Sequence, residues 1–118
     1  MPNGENSWDI GYSEIMFFAN ALNAHQAVDN FTRTEDIVFD ISRLGMSPLR
    51  VVLVSEYRLG EAAAYRAIQE FPGIQAIVNS GNWNAVALDR NSFRRQTKVE
   101  VLSLKNFLGA LNDPDFCA

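Results

Sequence analysis

The residue types best suited to chemistry lie in one short run, Asn79-Ser80-Gly81-Asn82-Trp83-Asn84. The run follows an apolar segment at 74–78 and precedes a segment with helical character that starts near residue 85. In open α/β sheets, ligands bind at the carboxyl ends of strands. Gly81 allows close backbone approach, and the free N–H groups at the start of a following helix favour an anion. The run therefore predicts a polar or anionic ligand at this position.

Other polar side chains follow the neighbouring predicted strands. Glu56 comes after the apolar run at 51–54, and Ser103 and Lys105 come after the run at 99–102. Because parallel strands end at the same edge of a sheet, we expect these groups to share one rim with the loop. The predicted ligand-binding residues are Ser55, Glu56, Arg58, Ser80, Gly81, Asn82, Trp83 and Asn84.

A purely structural interpretation of the same loop stays open. Asn82 or Asn84 is a good N-cap for the following helix, and Gly81 suits a tight turn. Trp83 would then cover the edge of the core. On this interpretation Glu56 contacts Arg58 or solvent and has no ligand to bind.

Several kinds of site are excluded by composition. The chain has one histidine, His25, and one cysteine, Cys117, so a two-histidine zinc site or a thiolate cluster cannot form. We interpret His25 as an ordinary helix residue. The sequence contains no GxGxxG and no P-loop motif, so it lacks the standard dinucleotide and triphosphate cradles, and it requires no cofactor.

The setting of the chain also follows from composition. A lone cysteine cannot form an internal disulfide, which favours a reducing, cytoplasmic location. The first residues lack the features of a signal peptide, and no apolar run approaches the ~18 residues that a membrane span needs. We therefore expect a cytoplasmic protein with no membrane contact.

The elements that must position these groups form one α/β domain. The pattern predicts strands at 50–55, 74–78 and 99–102, and helices at 60–71, at 84–97 and from Ser103 onward. The order β-α-β-α-β-α over 50–112 predicts a parallel sheet with right-handed crossovers. We expect a compact three-layer α/β sandwich with a mainly parallel sheet, preceded by a helical N-terminal part. The domain would span 12–112, between a loose tail at 1–11, with Trp8 and Ile10 on the core, and a second tail at 113–118.

Two segments near the N-terminus have further consequences. A helix is predicted at 13–30, and its two apolar stripes indicate burial on two sides or a homodimer through this helix. Residues 35–44 fit a helix capped by Thr34 and ended by Gly45, or a strand rich in β-branched residues. The sequence supports the two interpretations equally.

The strand interpretation would place Asp40 beside the strand that Glu56-Tyr57-Arg58 follows. This pattern resembles the PD-(D/E)xK signature of the restriction-endonuclease-like superfamily, in which an Asp on one strand and Glu-x-Lys on the next hold a divalent metal. The order of elements is similar to that of Mrr-type restriction domains. The resemblance implies that Asp40, Glu56 and Arg58 are the catalytic positions. Because Arg58 replaces the family's Lys and no Pro precedes Asp40, it implies a degenerate, non-cleaving member.

The charge of the chain indicates which partners it is expected to bind. The net charge of −4 disfavours non-specific binding of nucleic acid, which depends on phosphate contacts. One basic cluster, formed by Arg90, Arg94, Arg95 and Lys98, could contact a phosphate or could be a solvated helix face. The best-supported hypothesis is a non-catalytic or regulatory domain that binds a polar or anionic ligand at the strand ends. The alternatives are a degenerate nuclease-related domain and a protein-interaction or assembly module.

Overall fold

A computed structural model describes residues 4–81 and 83–118 of the chain. These residues form a five-stranded sheet, a two-stranded sheet and four helices. The helices are α1 (Tyr12–Ala24), α2 (Glu61–Glu70), α3 (Arg90–Thr97) and α4 (Leu104–Ala110). The strands are β1 (Val28–Glu35), β2 (Val38–Arg43), β3 (Met46–Val54), β4 (Arg58–Leu59), β5 (Ala76–Asn79), β6 (Ala85–Val86) and β7 (Glu100–Ser103).

The large sheet is mixed. Its strand order is β1-β2-β3-β5-β7, with antiparallel pairing from β1 to β3 and parallel pairing from β3 through β5 to β7. The parallel half contains the alternating strands and helices that the sequence predicts, because strands whose consecutive residues are buried read as continuous apolar runs. The antiparallel half is an addition that makes the sheet mixed.

The predicted helix at 13–30 is wrong beyond residue 24. Helix α1 ends at Ala24 with His25 as its C-cap, and the following residues, Val28–Glu35, form the edge strand β1. Apolar residues of this strand happen to continue the helical spacing of α1, so the sequence pattern predicts a longer helix. Phe31 of β1 packs against Phe39 of β2, with ring centroids 6.0 Å apart.

Residues 38–43 are extended, so the strand interpretation of 35–44 is confirmed. Strand β2 pairs with β1 and with β3, and Asp36 and Ile37 form the turn that enters it. Gly45, with φ of 70°, forms the turn between β2 and β3. A glycine with positive φ serves a hairpin turn as well as a helix C-terminus, which is why the cap signal was ambiguous.

The core lies between the helices and the large sheet. Phe18 of α1 contacts Phe39 and Phe107, at centroid distances of 4.8 and 5.8 Å. Tyr65 of α2 contacts Phe93 of α3 at 5.0 Å. In the described part of the chain, no helix has the length and apolar character needed to cross a membrane.

The first and last segments of the described residues contact this core. Trp8 and Ile10 are buried, as expected. Buried Arg43 donates through Nη1 to the carbonyl of Asp113 at 3.0 Å and through Nη2 to the carbonyl of Phe116 at 3.3 Å. The C-terminal residues are thereby tied to the end of β2.

Candidate functional site

A cleft of about 440 Å³ lies at the carboxyl ends of β3 and β5. Of the residues predicted from the sequence, it is lined by Ser55, Ser80, Gly81, Trp83 and Asn84. The helices contribute the remaining lining residues, which are Ser13, Glu14, Phe17 and Leu104. The site is therefore a space between the strand-end loops and α1, with α4 at one side.

The backbone after the loop is extended, so the prediction of a helix from residue 84 or 85 is wrong. Ala85 and Val86 form β6, which pairs in parallel with β4, and the Ala85 N–H donates to the carbonyl of Tyr57 at 3.0 Å. Helix α3 starts only at Arg90, where Asp89 is the N-cap and accepts from the N–H of Ser92. Asn84 consequently does not cap a helix, and Asn82 lies outside the described residues.

A buried amide fixes the walls of the cleft. Asn79, 2% exposed, accepts from the Glu56 N–H at 2.8 Å and donates to the Glu56 carbonyl at 2.9 Å. Its Nδ2 also donates to the Ala85 carbonyl at 3.3 Å. The side chain thus replaces a missing strand neighbour for the segment after β3 and joins it to β6. The sequence prediction included Asn79 in the run but did not assign it this role.

The floor of the cleft is a connected hydrogen-bond network. Asn84 donates through Nδ2 to the Ser80 carbonyl at 2.6 Å and to Ser55 Oγ at 3.0 Å. The hydroxyl of Ser80, which is 6% exposed, donates to Glu14 Oε2 at 3.0 Å. Gly81 has a φ of +101°, and a Cβ on it would lie 2.8 Å from Asn84 Nδ2. The loop needs glycine for both its backbone conformation and its packing.

Two aromatic side chains on the cleft are exposed. Trp83 is 87% exposed and Phe17 is 66% exposed, although both line the cleft. Burying a large apolar side chain is favourable by about 1.5–3 kcal/mol. Because both rings are largely exposed, a ligand that covers them would gain most of that free energy. The expectation that Trp83 covers the core edge does not describe its position.

The cleft continues into a neighbouring cavity of about 540 Å³. The two spaces share Phe17, Gly81, Asn84 and Leu104 as lining residues. The second adds Ser103, Lys105 and Leu108. Ser103 caps α4 as predicted, since its Oγ accepts from the Asn106 N–H at 3.2 Å.

Glu56 and Arg58, predicted to supply the charged wall, are not among the residues that line either space. Arg58 lies in β4 and is exposed, while Glu56 is held through its backbone by Asn79. Glu14, which the sequence analysis did not select, supplies the carboxylate of the cleft. It lies 66 residues before its partner Ser80, so no local pattern could have joined them.

Asp40 and Glu56 are not brought together. Asp40 pairs with Arg50 on β3 through two contacts, Nε to Oδ1 at 2.7 Å and Nη2 to Oδ2 at 2.9 Å. This hydrogen bond, followed by the attraction of the same carboxylate, raises the pKa of Arg50. Glu56 follows the far end of β3, and the four residue steps from Arg50 to Val54 alone span roughly 13 Å. Among residues 4–81 and 83–118, no group of three acidic, histidine or cysteine side chains could hold a metal ion.

The remaining candidates, His25 and the basic cluster, do not line the cleft or the neighbouring cavity. His25 accepts from the Ala27 N–H through Nδ1 at 3.1 Å, and its Nε2 lies 2.7 Å from the Leu108 carbonyl. The residues of the basic cluster, Arg90, Arg94, Arg95 and Lys98, are exposed on α3 and at its C-cap. His25 therefore connects the end of α1 to α4, and the basic cluster faces solvent.

A further cavity of about 360 Å³ lies beside the N-terminal segment. Its lining includes Asp36, a buried carboxylate that accepts from the Gly4 N–H at 2.9 Å, from Asn6 Nδ2 at 2.7 Å and from Arg33 Nη1 at 3.0 Å. Asp36 therefore holds the N-terminal segment against the β1–β2 turn.

Comparison with known proteins found no family model, no curated protein and no solved structure that matches the chain. The functional interpretation consequently rests on the geometry of the cleft and on the chemistry of its side chains.

Proposed function

We propose that the protein is a small binding or regulatory domain, and that the cleft between α1 and the loop at 80–84 takes a polar ligand with a flat ring. The observation that carries this proposal is the exposed indole of Trp83 beside a bonded network of Glu14, Ser80, Asn84 and Ser55. The indole offers a stacking surface, and the network offers polar atoms at fixed positions.

The energetics of such a site are favourable because its polar groups are already ordered. Stacking of a planar base on an aromatic side chain contributes about 1–3 kcal/mol. The hydrogen bonds from Asn84 and Ser80 hold the loop and α1 together before a ligand arrives, so less conformational entropy is lost on binding. These features are typical of a concave site with a few convergent polar groups.

The test is a two-dimensional amide and indole NMR screen with a library of polar ring compounds. We expect ligands to shift the indole N–H signal of Trp83 and the amide signal of Gly81, while the signal of buried Trp8 stays unchanged. Trp83→Ala should weaken binding by about 5- to 150-fold, which is the loss of about 1–3 kcal/mol of stacking. Tyr57→Ala is the matched control, because Tyr57 is 71% exposed and does not line the cleft. Absence of any cleft shift at millimolar ligand, or equal binding by Trp83→Ala, would refute the proposal.

The order of elements favours a second candidate, a degenerate restriction-endonuclease-like domain. A leading helix, three antiparallel strands and then alternating helices and parallel strands support the resemblance noted from the sequence. The pairing of Asp40 with Arg50 supports a non-cleaving member. We expect no plasmid cleavage with Mg²⁺ or Mn²⁺. Metal-dependent cleavage that is lost in Asp40→Asn would instead establish a nuclease.

Three further expectations from the sequence also stand as proposals: binding of nucleic acid, formation of a homodimer and a three-layer fold. Nucleic acid would bind through Arg90, Arg94, Arg95 and Lys98, and loss of binding in the double variant Arg94→Ala with Arg95→Ala would test this proposal.

A homodimer would use the outer face of α1, where Tyr12 is 48% exposed, and light scattering at high concentration would test for the dimer. Consecutive residues of β3 and β5 are buried, and because successive side chains of a strand point to opposite faces, this supports cover on both faces of the sheet, a three-layer arrangement. We also propose that the protein is cytoplasmic.

A further inference from the structure

We propose that the ligand of this cleft is two-ended, with an amino-substituted planar base at Glu14 and an anionic group at Lys105, as in a guanine mononucleotide. This inference rests on the proposed function, because it specifies the chemistry of the ligand in the same cleft. It is carried by the distribution of charge along the two adjoining spaces.

The two spaces form one groove with opposite charges at its ends. They meet along Phe17, Gly81, Asn84 and Leu104, which line both. Glu14 is the one charged residue that lines the first space, and Lys105 is the one charged residue that lines the second, as far as the described residues show. A ligand that spans the groove therefore meets a carboxylate at one end and an ammonium group at the other.

The Glu14 end selects for hydrogen-bond donors. An ionised carboxylate only accepts hydrogen bonds, and Ser80 already donates to Oε2. The N–H and the exocyclic amino group of guanine lie side by side and can donate together to a carboxylate. Bonds of this kind to a charged group are stronger than neutral ones. The exposed ring of Trp83 supplies the stacking surface for such a base.

The Lys105 end selects for an anion. A phosphate placed beside Glu14 would be repelled, so the charge of the ligand must lie at the other end of the groove. Lysine holds a phosphate as a point charge on a flexible stem, without requiring fixed geometry. Because Lys105 is exposed, we expect its contribution to affinity to be smaller than that of Glu14.

The experiment measures binding of guanosine monophosphate, inosine monophosphate and guanosine to the full chain by titration calorimetry and NMR. The wild-type chain should bind guanosine monophosphate about tenfold more tightly than inosine monophosphate, which lacks the amino group. Glu14→Gln should weaken both guanine ligands about tenfold and remove this preference. Glutamine keeps a carbonyl oxygen for Ser80, and the melting temperature will verify that the fold is intact.

Lys105→Gln separates the two ends of the ligand. It should weaken guanosine monophosphate about threefold and leave guanosine unchanged, because only the former carries a phosphate. Arg66→Gln, which removes an exposed positive charge on α2 outside both spaces, is the control and should change neither affinity.

The outcomes distinguish this inference from the proposed function. If other ring compounds shift the Trp83 signal and guanosine monophosphate does not bind, the inference is overturned and the proposed function stands. If guanosine monophosphate binds with equal affinity to the wild type, Glu14→Gln and Lys105→Gln, the inference is also overturned. If no compound shifts the cleft signals, both fail together.

Discussion

Removing the amide of Asn79 tests whether one buried side chain holds the cleft together. In Asn79→Ala, the backbone N–H and carbonyl of Glu56 and the carbonyl of Ala85 lose their partner. Asn79 is 2% exposed, so water does not replace the amide without local opening. We expect a less stable protein in which the segment after β3 and strand β6 separate.

The magnitude follows from the three bonds. A hydrogen bond contributes about 1 kcal/mol net, and a buried group left unsatisfied costs about 1–3 kcal/mol. Because the loop can partly open to water, we take about 3 kcal/mol for the whole substitution. Unfolding entropy near ~2.1 cal/mol/K per residue gives roughly 250 cal/mol/K for 118 residues. The expected fall in melting temperature is therefore about 12 °C.

The assay is urea denaturation followed by far-ultraviolet circular dichroism, with thermal melts for comparison. Asn112→Ala is the matched control, because Asn112 is exposed and makes one long bond to the Gly109 carbonyl; we expect a change within about 0.5 kcal/mol. Asn79→Asp keeps the size but turns a donor into an acceptor that faces two carbonyls. Its penalty should shrink as the pH falls, since a protonated carboxyl regains a donor. A loss below about 1 kcal/mol in Asn79→Ala would refute the reasoning.

The other predictions concern three single residues. Asp36→Ala should cost about 3 kcal/mol in urea denaturation, because Arg33 and two other donors lose a buried carboxylate; a cost below about 1 kcal/mol would contradict this. Gly81→Ala should lower the stability by about 1–2 kcal/mol, since φ is +101° and the new Cβ would meet Asn84; an unchanged thermal melt would contradict it. Burial raises the pKa of the Cys117 thiol from 9.0 to about 11, so its reaction with a disulfide reagent at pH 8 should be about 100-fold slower than in urea. Because the unfolded thiol ionises first, the free energy of unfolding should also fall as the pH rises from 9.0 to about 11, and equal urea midpoints across that range would count against it.

The fold was predictable where consecutive strand residues are buried. The apolar runs at 51–54, 74–78 and 99–102 coincide with or overlap β3, β5 and β7, because strands buried in this way have no polar face. Edge strand β1 gave no such signal. Most of its residues are exposed, and register shifts between Val28 and Asn30 and between Arg33 and Glu35 interrupt its alternation.

The position at which α1 ends could not be predicted from the sequence, for a different reason. The spacing of apolar residues continues past Ala24, so the sequence pattern predicts a longer helix. His25 ends the helix, and its Nε2 contacts the carbonyl of Leu108, which is 83 residues away. A contact of that range is set by the packing of α1 against α4, and a window of neighbouring residues cannot contain it.

The position of the cleft was predictable and its charges were not. The general position of ligands at strand ends identified the loop at 79–84. The predicted charged groups, Glu56 and Arg58, follow β3 in sequence but line neither space of the groove. The charges that do line it come from the first turns of α1 and α4, which the three-dimensional packing brings to the loop.

The two-residue strand β6 changes which ligand the cleft should bind. A helix that started at residue 85 would have directed free N–H groups at the loop and favoured an anion beside Trp83. Because residues 85–86 pair with β4 instead, that source of positive potential is absent there in the described structure. The carboxylate of Glu14 occupies this end of the groove, and Lys105 provides positive charge at the other. An anionic group of the ligand is therefore expected at Lys105, and a donor-bearing ring is expected at Trp83.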